Sequence, residues 1–209
     1  MTDRRGDPYA GIPGRRIFAA VPLGDSARAA IETLVATVRA AAEPGEREVR
    51  WVRLEGIHVT LRFIGPTPEP RIRDAVDALA AAAETAAPFQ AGLDGAGAFP
   101  NSDRPRALWL GIGEGTGELA SLTAAVSREL AARGWPPDER PFRAHLTLAR
   151  SDGIASGGRT AERLRATAAG LDVRWTVDRA ILFESVTGGG PARYVPLAEA
   201  RLGPARPAG

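Results

Sequence analysis

The stretch His58-Val59-Thr60-Leu61-Arg62-Phe63 recurs in altered form as His145-Leu146-Thr147-Leu148-Ala149-Arg150, and these segments contain both histidines of the 209-residue chain. Each segment alternates polar with apolar residues, which is the pattern of a half-buried β-strand. Because successive side chains of a strand point to opposite faces, the histidine and the threonine of each segment share one face. The sequence therefore predicts two strands that each present an imidazole and a hydroxyl to a cleft.

The elements predicted around these segments occur in the same order twice. Apolar runs predict further strands over residues 16–21, 49–54, 89–99, 107–111, 171–184 with a break near Asp178, and 193–202. Helical spacing of apolar residues predicts four helices, which include residues 31–38, 72–79, 119–130 and 160–169. We expect Asp25 or Ser26 to cap the first helix and Gly134 to end the third.

The order strand, helix, histidine strand, helix therefore recurs along the chain. It predicts an α+β fold with two lobes, each an antiparallel sheet with flanking helices, related by approximate internal duplication around a central cleft. We expect one bilobal domain over residues 15–202, a disordered tail over residues 1–14 and a frayed end over residues 203–209.

Composition narrows the class of protein. Hydrophobic residues make up 44% and charged residues 25% of the chain, which is ordinary for a soluble globular protein. The net charge of +2 excludes a strong overall basic field, and because all 27 basic residues are arginine, an arginine can be singled out only by its position.

The absence of cysteine excludes disulfides, thiolate metal sites and a cysteine nucleophile. The first residues lack the apolar core of a signal peptide, and no segment is apolar for long enough to cross a bilayer. We therefore expect a cytoplasmic monomer with no membrane partner.

Two imidazoles that face one cleft are suited to paired acid and base catalysis. The ordinary histidine pKa near 6.5 allows one ring to be neutral and the other protonated near neutral pH, which fits in-line displacement at phosphorus. The hydroxyls of Thr60 and Thr147 can hydrogen-bond nonbridging phosphate oxygens, and Arg150 can add a charge-assisted contact. Arg62, which strict alternation places on the His58 face, is a further candidate of this kind.

A zinc site is the main chemical alternative, since two histidines can ligate this metal. Zinc needs further ligands, and the nearest acidic residues, Glu55 and Asp152, lie in predicted turns. A serine nucleophile activated by histidine would need a Gly-x-Ser-x-Gly segment, which does not occur. We therefore expect no metal and no cofactor.

The paired His-x-Thr segments and their surroundings resemble the two-histidine phosphoesterase superfamily, and within it the RNA 2′,3′-cyclic phosphodiesterase branch, also called the 2′-5′ RNA ligase family. The similarity covers nearly the whole chain. Besides the histidine segments it rests on Arg16-Ile17-Phe18-Ala19-Ala20, Arg50-Trp51-Val52, Ile64-Gly65, Gly97-Ala98-Phe99-Pro100, Leu108-Trp109-Leu110-Gly111, Pro141-Phe142-Arg143-Ala144 and Leu182-Phe183-Glu184-Ser185.

The resemblance implies a bilobal α+β fold and metal-independent opening of a terminal 2′,3′-cyclic phosphate of RNA to a 2′-phosphate, with 2′-5′ RNA ligation as a related reaction. It also implies that His58 is the proton donor to the leaving 3′-oxygen and that His145 is the proton acceptor that activates water. Thr60 and Thr147 are the residues that the resemblance implies for holding the phosphate.

Two positions depart from the pattern that is common in this family. Gly56 stands where asparagine is common, and Ala144 stands where proline is common. Both lie where the chain enters a histidine strand, so they bear on affinity or substrate choice more than on the chemistry.

The aromatic residues fall into two groups. Trp51, Trp109 and Trp175 follow strand patterns and are expected to belong to the core. Phe142 adjoins the second histidine segment and Tyr194 follows a glycine run, so these two are candidates for stacking on a base.

Two other functions remain open from the residues. One is a phosphodiesterase for a small cyclic or 2′-5′-linked nucleotide, which the near-neutral net charge permits. The other is a noncatalytic module that binds RNA ends, although a binding module has no use for an acid and base pair.

Overall fold

Strands and helices make up most of the described part of the chain, which comprises residues 13–44, 49–138, 141–151, 156–188 and 190–203 of a computed structural model. The strands are β1 Arg15–Pro22, β2 Arg50–Trp51, β3 His58–Thr67, β4 Phe89–Phe99, β5 Ala107–Ile112, β6 His145–Arg150, β7 Arg174–Val177, β8 Arg179–Val186 and β9 Arg193–Arg201. The α-helices are α1 Asp25–Ala40, α2 Ile72–Ala83, α3 Thr116–Ala132 and α4 Ser156–Ala168. Most of each expected tail, residues 1–12 and 204–209, lies outside the described residues.

The strands form one curled sheet made of two antiparallel halves. One half has the order β3-β1-β8-β9 and the other the order β6-β5-β4-β7, with β2 added to β6. The halves meet where β3 and β6 pair through Val59 and Leu146. Both residues are fully buried, so the apolar faces of the two histidine strands pack into the core at this junction.

The two halves correspond strand for strand, in keeping with the expected duplication. β3, β1, β8 and β9 match β6, β5, β4 and β7 in order outward from the junction. The helices are exchanged between the halves: α1 packs against α4 and β7, whereas α3 packs against α2 and β3. The α+β fold with a duplicated antiparallel sheet is therefore confirmed, and helix packing joins the halves well beyond the junction.

The apolar spacing of the helices matches the faces that they bury. In α1 the buried residues include Ile31, Leu34, Val35 and Val38, as the helical period predicts. Helix α3 ends at Ala132, and Gly134 follows the C-cap residue Arg133 with a φ of +86°, which fits the left-handed conformation of a C′ glycine. None of the helices in the described residues combines the length and the apolar character that a membrane crossing requires.

Some element boundaries differ from the expectation. Gly24 occupies the N-cap position of α1 and offers no side-chain cap, so the cap expected at Asp25 or Ser26 is wrong by one residue or more. The expected strand over residues 49–54 shortens to Arg50–Trp51, because the backbone turns into a 3-10 helix at Leu54. The break near Asp178 is confirmed, since it separates β7 from β8.

Candidate active site

The junction of β3 and β6 brings the two motifs together. With Val59 opposite Leu146 in an antiparallel pair, His58 lies opposite Thr147 and Thr60 lies opposite His145. All four are partly exposed, on the face away from the buried pair. The imidazoles thus occupy one diagonal of the junction and the hydroxyls occupy the other.

Each histidine is oriented by the same backbone contact. The Nδ1 atom of His58 lies 2.7 Å from the carbonyl oxygen of Gly56, and Nδ1 of His145 lies 2.7 Å from that of Arg143. A carbonyl can only accept, so Nδ1 carries the hydrogen in both rings. The Nε2 atom is therefore the nitrogen that can take or give a proton in each case.

Aromatic rings surround His58 on several sides. Its ring centroid lies 4.8 Å from that of Phe18 on β1 and 5.9 Å from that of Phe183 on β8. Tyr194 on β9 meets it edge to face at 4.9 Å. These contacts hold the imidazole in an apolar setting and restrict its rotation.

His145 has a related setting built from the other half. Its ring meets Phe99 on β4 edge to face at 5.1 Å, and Trp109 on β5 at 6.5 Å. Phe99 and Phe183 stand on corresponding strands, because β4 and β8 are the third strands from the junction. The duplication therefore extends from the histidines to the rings that support them.

Burial lowers the pKa of both histidines below the ordinary 6.5. For His58 the carbonyl of Gly56 opposes this effect, whereas the positive charge of a protonated His145 lowers its pKa further. For His145 the carbonyl of Arg143 opposes burial, and the charges of Arg150 and Arg143 act with it. The two imidazoles are thus close enough for the charge on one to disfavour protonation of the other.

A β-bulge follows the threonine in each histidine strand. Ala19 pairs with Arg62 and Ala20 with Thr60, which leaves Leu61 as the extra residue of β3. In β6, Leu148 is the extra residue between the paired positions Thr147 and Ala149. A bulge reverses the alternation of side chains beyond it. Phe63 and Arg150 consequently lie on the same face of the sheet as the histidines.

The expectation that Arg62 shares the His58 face is wrong, and the bulge at Leu61 is the reason. The Arg62 side chain is buried, with its residue 6% exposed. Its guanidinium lies 3.3 Å from the carboxylate of Asp138 and donates to the carbonyl of Pro136. Arg62 therefore ties β3 to the segment after α3 and does not reach the cleft.

The cleft at the junction has a volume of about 690 Å³. His58, Thr60 and Arg150 line it, whereas His145 and Thr147 are not among its lining residues. Its wall also contains the arginines at positions 16, 39 and 50 and the aromatic rings of Phe18, Trp51, Phe63 and Tyr194. The motif pattern does not predict that these arginines and Phe63 line the cleft. The bulge at Leu61 sets the position of Phe63, and tertiary packing of α1 and β2 sets the positions of Arg39 and Arg50.

The tryptophans and the candidate stacking residues are distributed between the core and the site differently from the expectation. Trp175 is a core residue, 4% exposed. Trp51 packs against the core and also lines the cleft, whereas Trp109 is partly buried and packs beside His145, so the core assignment is wrong for Trp109. Phe142 packs against the hydrophobic core and does not line the cleft, whereas Tyr194 does.

Gly56, one of the departures from the family pattern, has a packing role. A Cβ atom at this position would lie 2.9 Å from Cδ2 of Tyr194, closer than carbon atoms can approach. Gly56 therefore seats the Tyr194 ring while its carbonyl orients His58. Across the described residues, no three histidine, aspartate or glutamate side chains converge in a way that could hold a metal ion.

Comparison with known proteins agrees with the geometry. A family model described as the 2′-5′ RNA ligase superfamily matches residues 23–189. The chain is 41% identical over 105 residues to the RNA 2′,3′-cyclic phosphodiesterase of Aeropyrum pernix, which covers 50% of this chain and 58% of that protein. It is 34% identical over 135 residues to the protein of the same name from Archaeoglobus fulgidus, with 65% and 72% covered.

Solved structures resemble the fold over nearly its full length. The protein TT0787 of Thermus thermophilus superposes with a TM-score of 0.72 at 25% identity and covers 91% of this chain and 100% of that one. The apo form of E. coli LigT superposes with a TM-score of 0.66 at 26% identity and covers 90% and 98%. The matched segment spans little more than half of the Aeropyrum relative, but the family match spans most of this chain. The protein therefore belongs to the 2′-5′ RNA ligase superfamily.

Proposed function

We propose that this protein hydrolyses the terminal 2′,3′-cyclic phosphate of RNA to a 2′-phosphate. The observation that carries the proposal is the meeting of the two His-x-Thr motifs at one junction, with Nε2 of each imidazole left available by the contact at Nδ1. The shared name of the Aeropyrum and Archaeoglobus relatives supports the choice of substrate.

In the proposed reaction the two imidazoles move one proton each. His145 takes a proton from water through Nε2 as the water oxygen bonds to phosphorus, and protonated His58 gives a proton from Nε2 to the 3′-oxygen as its bond to phosphorus breaks. The product carries a 2′-phosphate and a free 3′-hydroxyl. The pair ends the step with its protons exchanged, and solvent restores the starting state.

The remaining motif residues stabilise the negative charge on phosphorus. We propose that the hydroxyls of Thr60 and Thr147 hydrogen-bond the nonbridging oxygens of the phosphate. The two imidazoles lie on one diagonal of the junction, and the two hydroxyls lie on the other diagonal. Arg150, which the bulge turns toward the cleft, supplies a charge-assisted contact to the same anion. If the 5′-hydroxyl of a second RNA replaces water as the nucleophile, the same displacement of the 3′-oxygen would form a 2′-5′ linkage.

The test uses the pure protein and an RNA that ends in a 2′,3′-cyclic phosphate, with and without EDTA. We expect a 2′-phosphate product at the same rate in both conditions. A 3′-phosphate product, or a rate that EDTA abolishes and zinc restores, would contradict the proposed mechanism. Thr60→Ala and Thr147→Ala provide the second readout, since loss of a hydrogen bond to a charged group should cost about ten- to a hundredfold in kcat/KM.

We further propose that the enzyme acts as a cytoplasmic monomer, an expectation that comes from the sequence. Sedimentation of the active protein and fractionation of cells that produce it would test the two parts separately.

A further inference from the structure

Strand β5 places a large aromatic side chain beside His145. Trp109 pairs with Thr147 on β6, and residues that pair directly share one face of the sheet, so the indole lies on the cleft face. Two residues further along β5, Gly111 pairs with His145 and adds no side chain to that face. On β5, therefore, no side chain stands between the indole and the imidazole, whose ring centroids lie 6.5 Å apart.

A glycine on β4 determines how the indole lies. Gly97 pairs with Trp109, and a Cβ atom at Gly97 would lie only 2.4 Å from Cζ2 of the indole. The six-membered part of the indole therefore rests on the backbone of Gly97, an approach that a side chain there would prevent. The indole N–H is buried and has no hydrogen-bond partner among the described residues, so packing sets the position of the ring.

The indole in turn supports a second ring. Phe99 follows Gly97 by two residues on β4, and its ring centroid lies 5.2 Å from that of Trp109 with the planes tilted by 33°. The Phe99 ring meets His145 edge to face, at 5.1 Å and 87°. Trp109 thus packs behind the ring that contacts the imidazole, in the space that the glycine leaves free.

The other half has a matching arrangement. The Tyr194 ring is seated on Gly56 and meets His58 edge to face at 4.9 Å. These residues come from β9 and from the 3-10 turn before β3, which are not the counterparts of β5 and β4 in the duplicated sheet. Because different positions provide the same support, the support follows the imidazole and not the strand pattern.

We propose that Trp109 is a positioning residue for His145. It holds Phe99 against the imidazole and shields that side of the ring from water, so that Nε2 stays where it takes the proton of water. The inference rests on the proposed function, in which His145 is the base. Trp109 touches neither the phosphate nor the proton that moves, and acts through the imidazole alone.

The charged groups around His145 lie on other elements. Arg143 and Arg150 are close to it along the chain, and His58 faces it across the junction. On β4 and β5 the one charged residue is Asp94, whose side chain packs beyond the end of β5. A change at the indole therefore acts on the imidazole through burial and position, with every neighbouring charge kept.

Titration followed by nuclear magnetic resonance measures this effect without reference to activity. The chain has two histidines, so two imidazole signals are expected, and the one that is lost in His145→Ala belongs to His145. Burial lowers the pKa of His145. Trp109→Phe has a smaller ring that covers the imidazole less, so it should raise this pKa toward 6.5. The pKa of His58 should change much less.

The same variant should impair catalysis. A small displacement of an acting group can cost about a hundredfold, so we expect Trp109→Phe to lower kcat about tenfold on a cyclic end and to change KM much less. The acidic limb of the rate profile should move to higher pH together with the pKa of His145. Gly97→Ala keeps the indole but displaces it from β4, so it should act in the same direction.

Trp175→Phe is the matched control. Trp175 lies on β7 in the same half of the sheet, is 4% exposed and also has a buried indole N–H without a hydrogen-bond partner in the described part of the chain. This variant should lower the free energy of unfolding, measured in urea, and leave kcat and both imidazole pKa values unchanged. If Trp109→Phe does not fold, Gly97→Ala provides both measurements.

The outcomes separate the inference from the proposed function. An unchanged pKa of His145 or an unchanged kcat in Trp109→Phe would overturn the inference and leave the function standing. Equal effects of Trp109→Phe and Trp175→Phe would also overturn it, because the loss would then come from general destabilisation. Absence of hydrolysis of every cyclic end by the unaltered protein would instead overturn the proposed function.

Discussion

The two histidines make equivalent backbone contacts but must have opposite tasks. Each is held at Nδ1 by a carbonyl two residues earlier in the chain, so this contact does not distinguish the proton donor from the proton acceptor. His58 carries three aromatic contacts and His145 has two arginine charges nearby. Nearby cations disfavour the protonated form of His145, which agrees with its assignment as the base.

Substrates with an activated leaving group should separate the two tasks. On natural cyclic ends, His58→Ala and His145→Ala should each lose about a hundred- to ten-thousandfold in rate. A p-nitrophenyl phosphodiester needs no protonation of its leaving group, so its hydrolysis should depend far less on His58 while still requiring His145. If His145→Ala is the variant that this substrate rescues, the tasks are the reverse of those assigned here.

The lowered pKa values predict an acidic optimum. The productive form has one imidazole protonated and the other neutral, so kcat/KM falls below the pKa of the base and above the pKa of the acid. Both values lie below 6.5, and the maximum lies midway between them. We therefore expect kcat/KM on a cyclic mononucleotide to peak below pH 6.5.

The control for this profile is Arg150→Ala. It removes one of the charges that lower the pKa of His145, so the optimum should move to higher pH. A maximum at or above pH 7 in the unaltered protein would mean that the imidazoles are better solvated than their burial indicates.

Gly56→Ala should disturb catalysis through Tyr194. The added methyl group would meet Cδ2 of Tyr194 at 2.9 Å, and the ring would have to move off the His58 imidazole. A small displacement of an acting group can cost about a hundredfold, so we expect a loss of about ten- to a hundredfold in kcat.

A double-variant cycle tests this contact. Tyr194→Phe keeps the ring and should retain most of the activity, whereas Tyr194→Ala removes the clash. The double variant Gly56→Ala, Tyr194→Ala should therefore lose less than the product of the two single losses. Strict multiplication of the losses would show that the added methyl acts elsewhere, for instance on the carbonyl that holds His58.

At the scale of the elements, the sequence pattern predicts the histidine strands but not the bulges within them. Alternation correctly places the histidines and threonines on one face, since these residues precede Leu61 and Leu148. Beyond the bulges the same rule assigns Arg62 to the wrong face. A bulge depends on the register with neighbouring strands, which a single segment of sequence does not contain.

The bulges predict contrasting effects for two arginines that follow them. Arg62→Ala should lower the free energy of unfolding by about 2 to 3 kcal/mol, because it removes a buried side chain and its contacts. Its effect on kcat/KM should be small. Arg150 is exposed, so Arg150→Ala should change stability by less than about 0.5 kcal/mol and yet reduce kcat/KM about ten- to a hundredfold.

Urea unfolding and steady-state kinetics on both variants check this contrast. The opposite assignment, with Arg62→Ala stable but inactive, would place Arg62 in the cleft after all.

For the whole molecule, the repeated order of elements predicts the duplicated sheet because strand and helix periods are local properties. The residues that line the cleft outside the two motifs could not be predicted from such local periods. Arg39 and Arg50 reach the cleft because α1 and β2 are carried there by tertiary packing, and the chain contains many other arginines in similar local settings. The same limit explains Trp51 and Trp109, whose strand patterns do not reveal which face is the cleft.

Apart from β2, the order of the strands makes the His145 half an insertion within the His58 half. Strands β4 to β7 follow one another without interruption, whereas β1 and β3 are completed by β8 and β9 from the far end of the chain. Trimming by a protease after Asp178 would remove Phe183 and Tyr194, and with them two of the rings that hold His58. Loss of β8 and β9 would thus alter the surroundings of His58, although His145 is nearer to these strands in sequence. Among the described residues, β4 to β7 would keep all of their paired strands.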